Sequence, residues 1–283
     1  MNTEIFLTYA EETKEGPGYT FGIVEEIIFD DVEAFWTQNI YEQLRNGTTH
    51  EGVEIINGYT ADEGVLYITN SDLDRILAQA NKFSEFFVPL PAVENLSVPQ
   101  QLQVGKKLKS YYFGNKDVTN ETLEDLVRFL NFDMFVYSSI LWQKLSASSG
   151  KNTIFMYKFT ATSERNINSQ RNKVSELLNR TNTVVHGDDL PYIFPYKNLS
   201  PYVDMNSREF KMIEQVTTIW TNFAKYGEPT PDDSLGVRWT PYTLEDQDYL
   251  DIGEQLVPKT VPEREDVEYW ETVFREFYPK IVS

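Results

Sequence analysis

Two short runs, "VEIING" (53–58) and "NTIFMYKFT" (152–160), carry the convincing core-strand character of this chain, and several helix-like stretches surround them. Continuous apolar, β-branched runs bounded by turn residues read as strands buried on both faces. Strands separated by helices pack as a mostly parallel sheet with helices on its faces, an α/β layout. Two strands are too few for this many helices, because sheets ordinarily hold about four to six. The expectation is therefore an incomplete sheet, with further strands supplied from upstream, and one partial domain over residues 1–283.

The helices follow from 3.6-residue spacing. In "DDVEAFWTQNIYEQLRNG" (30–47), Phe35, Trp36, Ile40 and Leu44 share a face and Gly47 can close the end. "SDLDRILAQANKFSEFF" (71–87) predicts a helix capped by Ser71 that buries Leu73, Ile76, Leu77, Ala80 and Phe83. Residues 98–114 and 121–145 continue the helical pattern. Asn206 with Glu209 three residues on predicts a capping box opening a helix whose stripe is Met212, Ile213, Val216, Ile219, Trp220 and Phe223. Gly227 and Pro229 stop that helix, and "REDVEYWETVFREFYP" closes the chain as another. The segment from Thr160 to about Val184 reads as a long polar stretch, and "VRWTPYT" and "DQDYLDIG" as short extended pieces.

Composition excludes several classes of function. Hydrophobic residues make up 41% and aromatics 14% of 283 residues, enough for a sizeable core. A net charge of −19, from 25 basic and 44 acidic residues, repels phosphate backbones and anionic lipid, so no nucleic-acid partner is expected. No apolar run approaches the roughly 20 residues of a membrane span. The absence of cysteine removes disulfides, thiol nucleophiles and Cys-based metal sites, and two histidines give no His-x-x-x-His pair. No metal or organic cofactor is implied. The opening "MNTEIFLTYAEETKEGPGYT" is broken by acids and does not read as a signal peptide. Five sequons, at Asn46, Asn95, Asn120, Asn179 and Asn198, lean toward secretion, with chance matches in an Asn- and Thr-rich chain as the alternative, so secreted and cytoplasmic locations both stay open.

The chemistry sits after the two strands. "NGYTADEGVLY" places Asp62 and Glu63 on a turn, and "VVHGDDLPYIF" places His186 beyond the second strand. Open α/β sheets bind ligands beyond the carboxyl ends of their strands. A carboxylate after one strand and a histidine after the next match the later half of the nucleophile–acid–histidine order of acyl-transfer enzymes. In such relays the acid fixes the histidine tautomer and steadies the imidazolium. Spacing alone leaves a solvated or structurally bonded histidine open, and does not choose between the two acids.

These two segments together resemble the type-B carboxylesterase and cholinesterase family, which carries Asp-Glu-Gly with the triad glutamate and later His-Gly with an acid two or three residues on. "SREFKMIEQVTTIWTNFAKYGEPTP", "VRWTPYT", "YLDIG" and "FDMFVYSSILWQKL" resemble further elements of the family, and "DVEYWETVFREF" is most similar to the insect α-esterase branch. The resemblance runs from about Tyr19 to Pro279 and implies the C-terminal portion of an α/β-hydrolase fold. It implies Glu63 as triad acid, His186 as triad base and Asp62 as an exposed neighbour. Asp189 matches an acid supporting the histidine loop, or serves as a plain helix-start carboxylate. Tyr67 and Phe135 match positions lining the acyl pocket, with ordinary core as the alternative. His50 matches nothing catalytic and reads as a solvated loop residue.

Neither a Gly-x-Ser-x-Gly elbow nor a His-Gly-Gly oxyanion segment occurs in the sequence. The resemblance therefore implies acid and base without the nucleophile, in a chain inactive alone that requires an N-terminal half to act on a small-molecule carboxylic ester. A non-catalytic adhesion or interaction protein of the cholinesterase-like group is the alternative.

Overall fold

The computed structural model describes residues 26–279, apart from 30, 36, 38, 47–50, 69–71, 90–91, 94–95, 172–173 and 197–201. Trp36, Gly47, His50 and Ser71 therefore lie outside the described residues, as do the sequons at Asn95 and Asn198. Asn46, Asn120 and Asn179 are exposed.

Four strands form one sheet in the order β1 (Glu54–Thr60), β2 (Thr153–Phe159), β3 (Asp248–Ile252) and β4 (Leu256–Thr260). β1 and β2 run parallel over seven residue pairs, from Glu54–Thr153 to Thr60–Phe159. β3 is parallel to β2, and β4 returns antiparallel to β3. This is two strands more than the sequence reading counted. β4 carries Pro258 and is largely exposed, which is how proline enters a sheet edge. Among the described residues β1 pairs with β2 alone, so its other edge is open.

β2 is buried on both faces because its alternate residues enter different cores. Ile154 and Met156 join the larger cluster, and Phe155 and Phe159 the smaller. On the larger side lie the helices α1 (Ile40–Asn46), α2 (Leu73–Lys82), α3 (Val98–Phe113), α4 (Leu123–Asn131) and α5 (Tyr137–Ser148). A π-helical turn, Phe132–Val136, joins α4 to α5 without a break. On the other face lies α6 (Arg208–Tyr226), and α7 (Arg264–Phe277) closes the described chain against the larger cluster.

Several helix boundaries differ from the sequence pattern. The first helix spans only Ile40–Asn46, and Phe35 is exposed outside it. α2 starts at Leu73 after Asp72 and stops at Lys82, so Phe83 falls past the helix end and is exposed. α6 is capped by Ser207, whose hydroxyl accepts from Phe210 N at 3.1 Å, and not by Asn206. Its stripe is as expected: Met212, Val216 and Ile219 are buried, with Ile213, Trp220 and Phe223 packed beside them. Gly227 adopts φ 67° at its C-terminal end. The stretch after Thr160 is not a plain loop, since it contains the short helices Ile167–Arg171 and Val174–Leu177.

"VRWTPYT" forms no strand, yet Trp239 is a keystone of the smaller core. It is 1% exposed and its indole N–H donates to Met156 O at 3.1 Å. Trp239→Ala is expected to cost about 3–5 kcal/mol, through lost burial and the lost hydrogen bond to Met156 O. The shift of the urea unfolding midpoint checks this.

Candidate active site

Parallel pairing brings the ends of β1 and β2 to one side of the sheet, and the turn after β1 meets the loop that follows β2. Ala61 N donates to Phe159 O at 3.0 Å, and Asp62 N to Val184 O at 2.9 Å. Glu63 opens a 3₁₀ turn, Glu63–Tyr67, directly after this crossing. His186 sits two residues past Val184, just before Gly187 at φ 77° and the short helix Leu190–Ile193.

Glu63 and His186, 123 positions apart, meet at 2.6 Å between Oε2 and Nδ1. Glu63 is buried, and its Oε1 accepts from Thr60 N at 2.6 Å, so both carboxylate oxygens are held. The His186 side chain is 45% exposed. Among the described residues its Nε2 has no hydrogen-bond partner. The hydrogen bond to Glu63 raises the imidazole pKa above its ordinary value, partial burial works against it, and the charges of Glu63 and Asp189 reinforce it. The Phe135 ring stacks on the imidazole with centroids 4.6 Å apart. Phe135 lies in the π-helical turn, and such turns re-aim side chains that a regular helix would direct elsewhere.

The acid turn is pinned from behind by α4. Asn131 Oδ1 accepts from Gly64 N at 2.7 Å, and its Nδ2 donates to Ala61 O at 3.2 Å. Gly64 is required for this approach, because a Cβ there would lie 2.6 Å from Asn131 N and from Leu130 Cβ.

Asp62 differs from expectation. It is buried, not exposed. Its Oδ2 accepts from Val184 N at 3.0 Å and its Oδ1 from Arg180 at 2.8 Å. The resemblance implied an exposed neighbour of Glu63, but this turn is covered by a loop from far along the chain.

Asp189 is buried near the histidine, and Tyr157 on β2 donates to its Oδ2 at 2.9 Å. Burial raises its pKa and the tyrosine hydrogen bond opposes that. The side chain makes no cap bond to the helix that follows it. The preceding Asp188, which sequence reasoning passed over, is fully buried. It accepts from Asn168 N at 2.9 Å, from Val185 N at 2.9 Å, and from Ser169 through both N–H and hydroxyl. Asn168 also donates to His186 O at 2.9 Å. The nominally featureless polar stretch thus supplies the frame of the histidine loop. The doubled acid in "HGDDL" was the only signal for Asp188.

Tyr67 is half-buried, with its ring 6.1 Å from Phe135. It borders a cavity of about 480 Å³ that Leu66, Ile76, Phe86, Leu130 and Asp133 also line. Asp133 as a whole is half-buried, yet its Oδ1 is sealed from solvent and has no hydrogen-bond partner among the described residues, and burial pushes the carboxyl pKa up to about 7. Among the described residues no three His, Asp or Glu side chains converge to hold a metal ion, and no helix is long and apolar enough to cross a membrane.

Over 250 residues the chain is 25% identical to a carboxylic ester hydrolase of Bombus ignitus, covering 85% of this chain and 43% of that one. It is 23% identical over 236 residues to juvenile hormone esterase of Tribolium castaneum, covering 78% and 38%. The curated relatives it matches are thus spanned for less than half their length. The crystal structure of juvenile hormone esterase from Manduca sexta, with OTFP covalently attached, superimposes with a TM-score of 0.76 at 19% identity, covering 90% of this chain and 47% of that one. The architecture is that of the esterase α/β-hydrolase fold. Residues 3–270 match the carboxylesterase family, and the chain belongs to that family.

Proposed function

We propose that this chain supplies the acid and the general base of a serine carboxylic-ester hydrolase, Glu63 and His186, to a nucleophile carried on another segment. The hydrogen bond between Glu63 Oε2 and His186 Nδ1 is the observation that carries this reading. Family membership supports hydrolase chemistry in general. The sequence contains no Gly-x-Ser-x-Gly, and the open edge of β1 is where a further parallel strand would pair.

In this reading Glu63 accepts from Nδ1–H and so fixes the tautomer that leaves Nε2 as the base. Nε2 takes the serine proton as the serine oxygen attacks the ester carbonyl. The imidazolium, steadied by Glu63, then protonates the departing alcohol and leaves an acyl-serine. In the second half Nε2 takes a proton from water, which attacks the acyl group, and returns it to the serine. Phe135 holds the imidazole ring in plane. The cavity beside Tyr67 has apolar walls from Leu66, Ile76, Phe86 and Leu130 and polar ones from Asp72, Arg75, Gln79 and Asp133, and would take an ester portion with both apolar and polar parts. A non-catalytic adhesion role gives no reason for a buried carboxylate aimed at an accessible imidazole.

The chain by itself is expected to turn over no chromogenic short-chain ester and to take up no organophosphate. Stoichiometric organophosphate labelling of the purified chain would overturn the division of labour. In a protein that joins this chain to a Gly-x-Ser-x-Gly segment, Glu63→Gln is expected to lower kcat about 10⁴-fold by misplacing the tautomer. Unchanged ester turnover by that variant refutes the role of Glu63.

The raised imidazole pKa also fixes a sign for stability. A group whose folded pKa lies above its unfolded value contributes stability that is fully present below the unfolded value, about 6.5 for histidine, and that fades as pH rises through the folded value. Wild type is therefore expected to exceed Glu63→Gln in urea midpoint at pH 6 by more than at pH 8.5. A difference that widens with pH contradicts the pairing.

A further inference from the structure

We propose that Arg180 and Asp62 form a positioning clamp through which helix α4 sets the distance between Glu63 and His186. Arg180 lies six residues before His186, on the strip of chain that delivers the histidine. Its Nη1 donates to Asp62 Oδ1 at 2.8 Å, while its Nε donates to Glu124 Oε1 at 2.6 Å and its Nη2 pairs with Glu124 Oε2. Glu124 is in the first turn of α4, and Asn131, two turns on, grips the acid turn through Ala61 O and Gly64 N. One helix thereby holds the acid turn directly and the histidine strip through Arg180.

Asp62 is the shared element. One oxygen meets Arg180 and the other accepts from Val184 N, two residues before His186, while Asp62 N donates to Val184 O. Its neighbour in sequence is Glu63. The two backbone segments bearing the pair are thus sewn together at one residue, which also forms the parallel bridge Asp62–Val185. An exposed ion pair would carry little weight. Here the Asp62 side chain is 8% exposed, so removing Arg180 strands a buried carboxylate at the joint. Arginine suits the place because its planar fork can meet two carboxylates at once, which a lysine ammonium on its single stem does less well.

The consequence for catalysis rests on the reading of Glu63 and His186 as a catalytic pair. The clamp itself is read separately. With only two histidines in the chain, the His186 imidazole is assignable by NMR through a His50→Gln reference. Arg180→Gln and Asp62→Asn are each expected to speed Val184 amide exchange by roughly tenfold or more, by weakening a charge-assisted hydrogen bond, and to bring the His186 titration down toward the ordinary imidazole value. Arg180→Lys should fall between wild type and Arg180→Gln in both readouts. Glu63→Gln should lower the His186 titration while leaving Val184 exchange unchanged. Far-UV circular dichroism of each variant confirms folding, and Arg180, a third exposed, is the substitution least able to disturb the core. Wild-type exchange at Val184 and wild-type titration of His186 in both Arg180→Gln and Asp62→Asn would overturn the clamp. If Val184 exchange responds to Arg180→Gln but the His186 titration ignores Glu63→Gln, the clamp stands as a loop anchor and the catalytic pair is what fails.

Discussion

The parallel pairing of β1 with β2 is the constraint on which the site depends. Parallel strands end on the same side of a sheet, so the turn after one and the loop after the other share a rim whatever their sequence separation. Seven paired residues fix that register, and the backbone bonds Ala61–Phe159 and Asp62–Val184 carry it two residues past the strands. An antiparallel pair would send these ends to opposite sides, and Glu63 could not reach His186. β2 itself is held by both cores at once, Ile154 and Met156 on one face and Phe155 and Phe159 on the other. Shifting it by one residue would exchange those faces.

Helix α4 and its π-helical continuation form a second frame behind the rim. Asn131 braces the acid turn, Glu124 reaches the histidine strip through Arg180, and Phe135 stacks on the imidazole. These contacts span the helix from its first turn to the π turn at its end, so one continuous helical segment touches the Glu63 turn, the histidine strip and the imidazole ring. In the proposed reading this bracing matters because proton transfer depends on heavy-atom distances near 2.6–3.2 Å. The long connection between β2 and His186 gains order in the same way, from Asp188 collecting donors out of residues 168–185.

Much of this was legible in the residues. The apolar run at Ile154–Phe159 announced a strand buried on both faces, and the stripe of α6 announced its packing side. The choice of Glu63 over Asp62 rested on the resemblance of "ADEG", and Glu63 Oε2 lies 2.6 Å from His186 Nδ1. β4 was hidden because Pro258 and its exposed residues carry no strand period. The first helix was overdrawn because a shared apolar face, including the exposed Phe35, satisfies periodicity without guaranteeing a core to bury it.

The sequence by itself determined the two central strands, the apolar stripe of α6 and the motifs that resemble the family. Those are set by periodicity, turn residues and short motifs, all of which act within a few positions. Only the tertiary structure decided that Asp62 is buried, that Arg180 joins it to Glu124, and that Asp188 holds the loop. These depend on partners some 20 to 120 positions away, and a carboxylate has the same local signature whether solvated on a turn or buried against a guanidinium. Its role is fixed by what the fold lays over it.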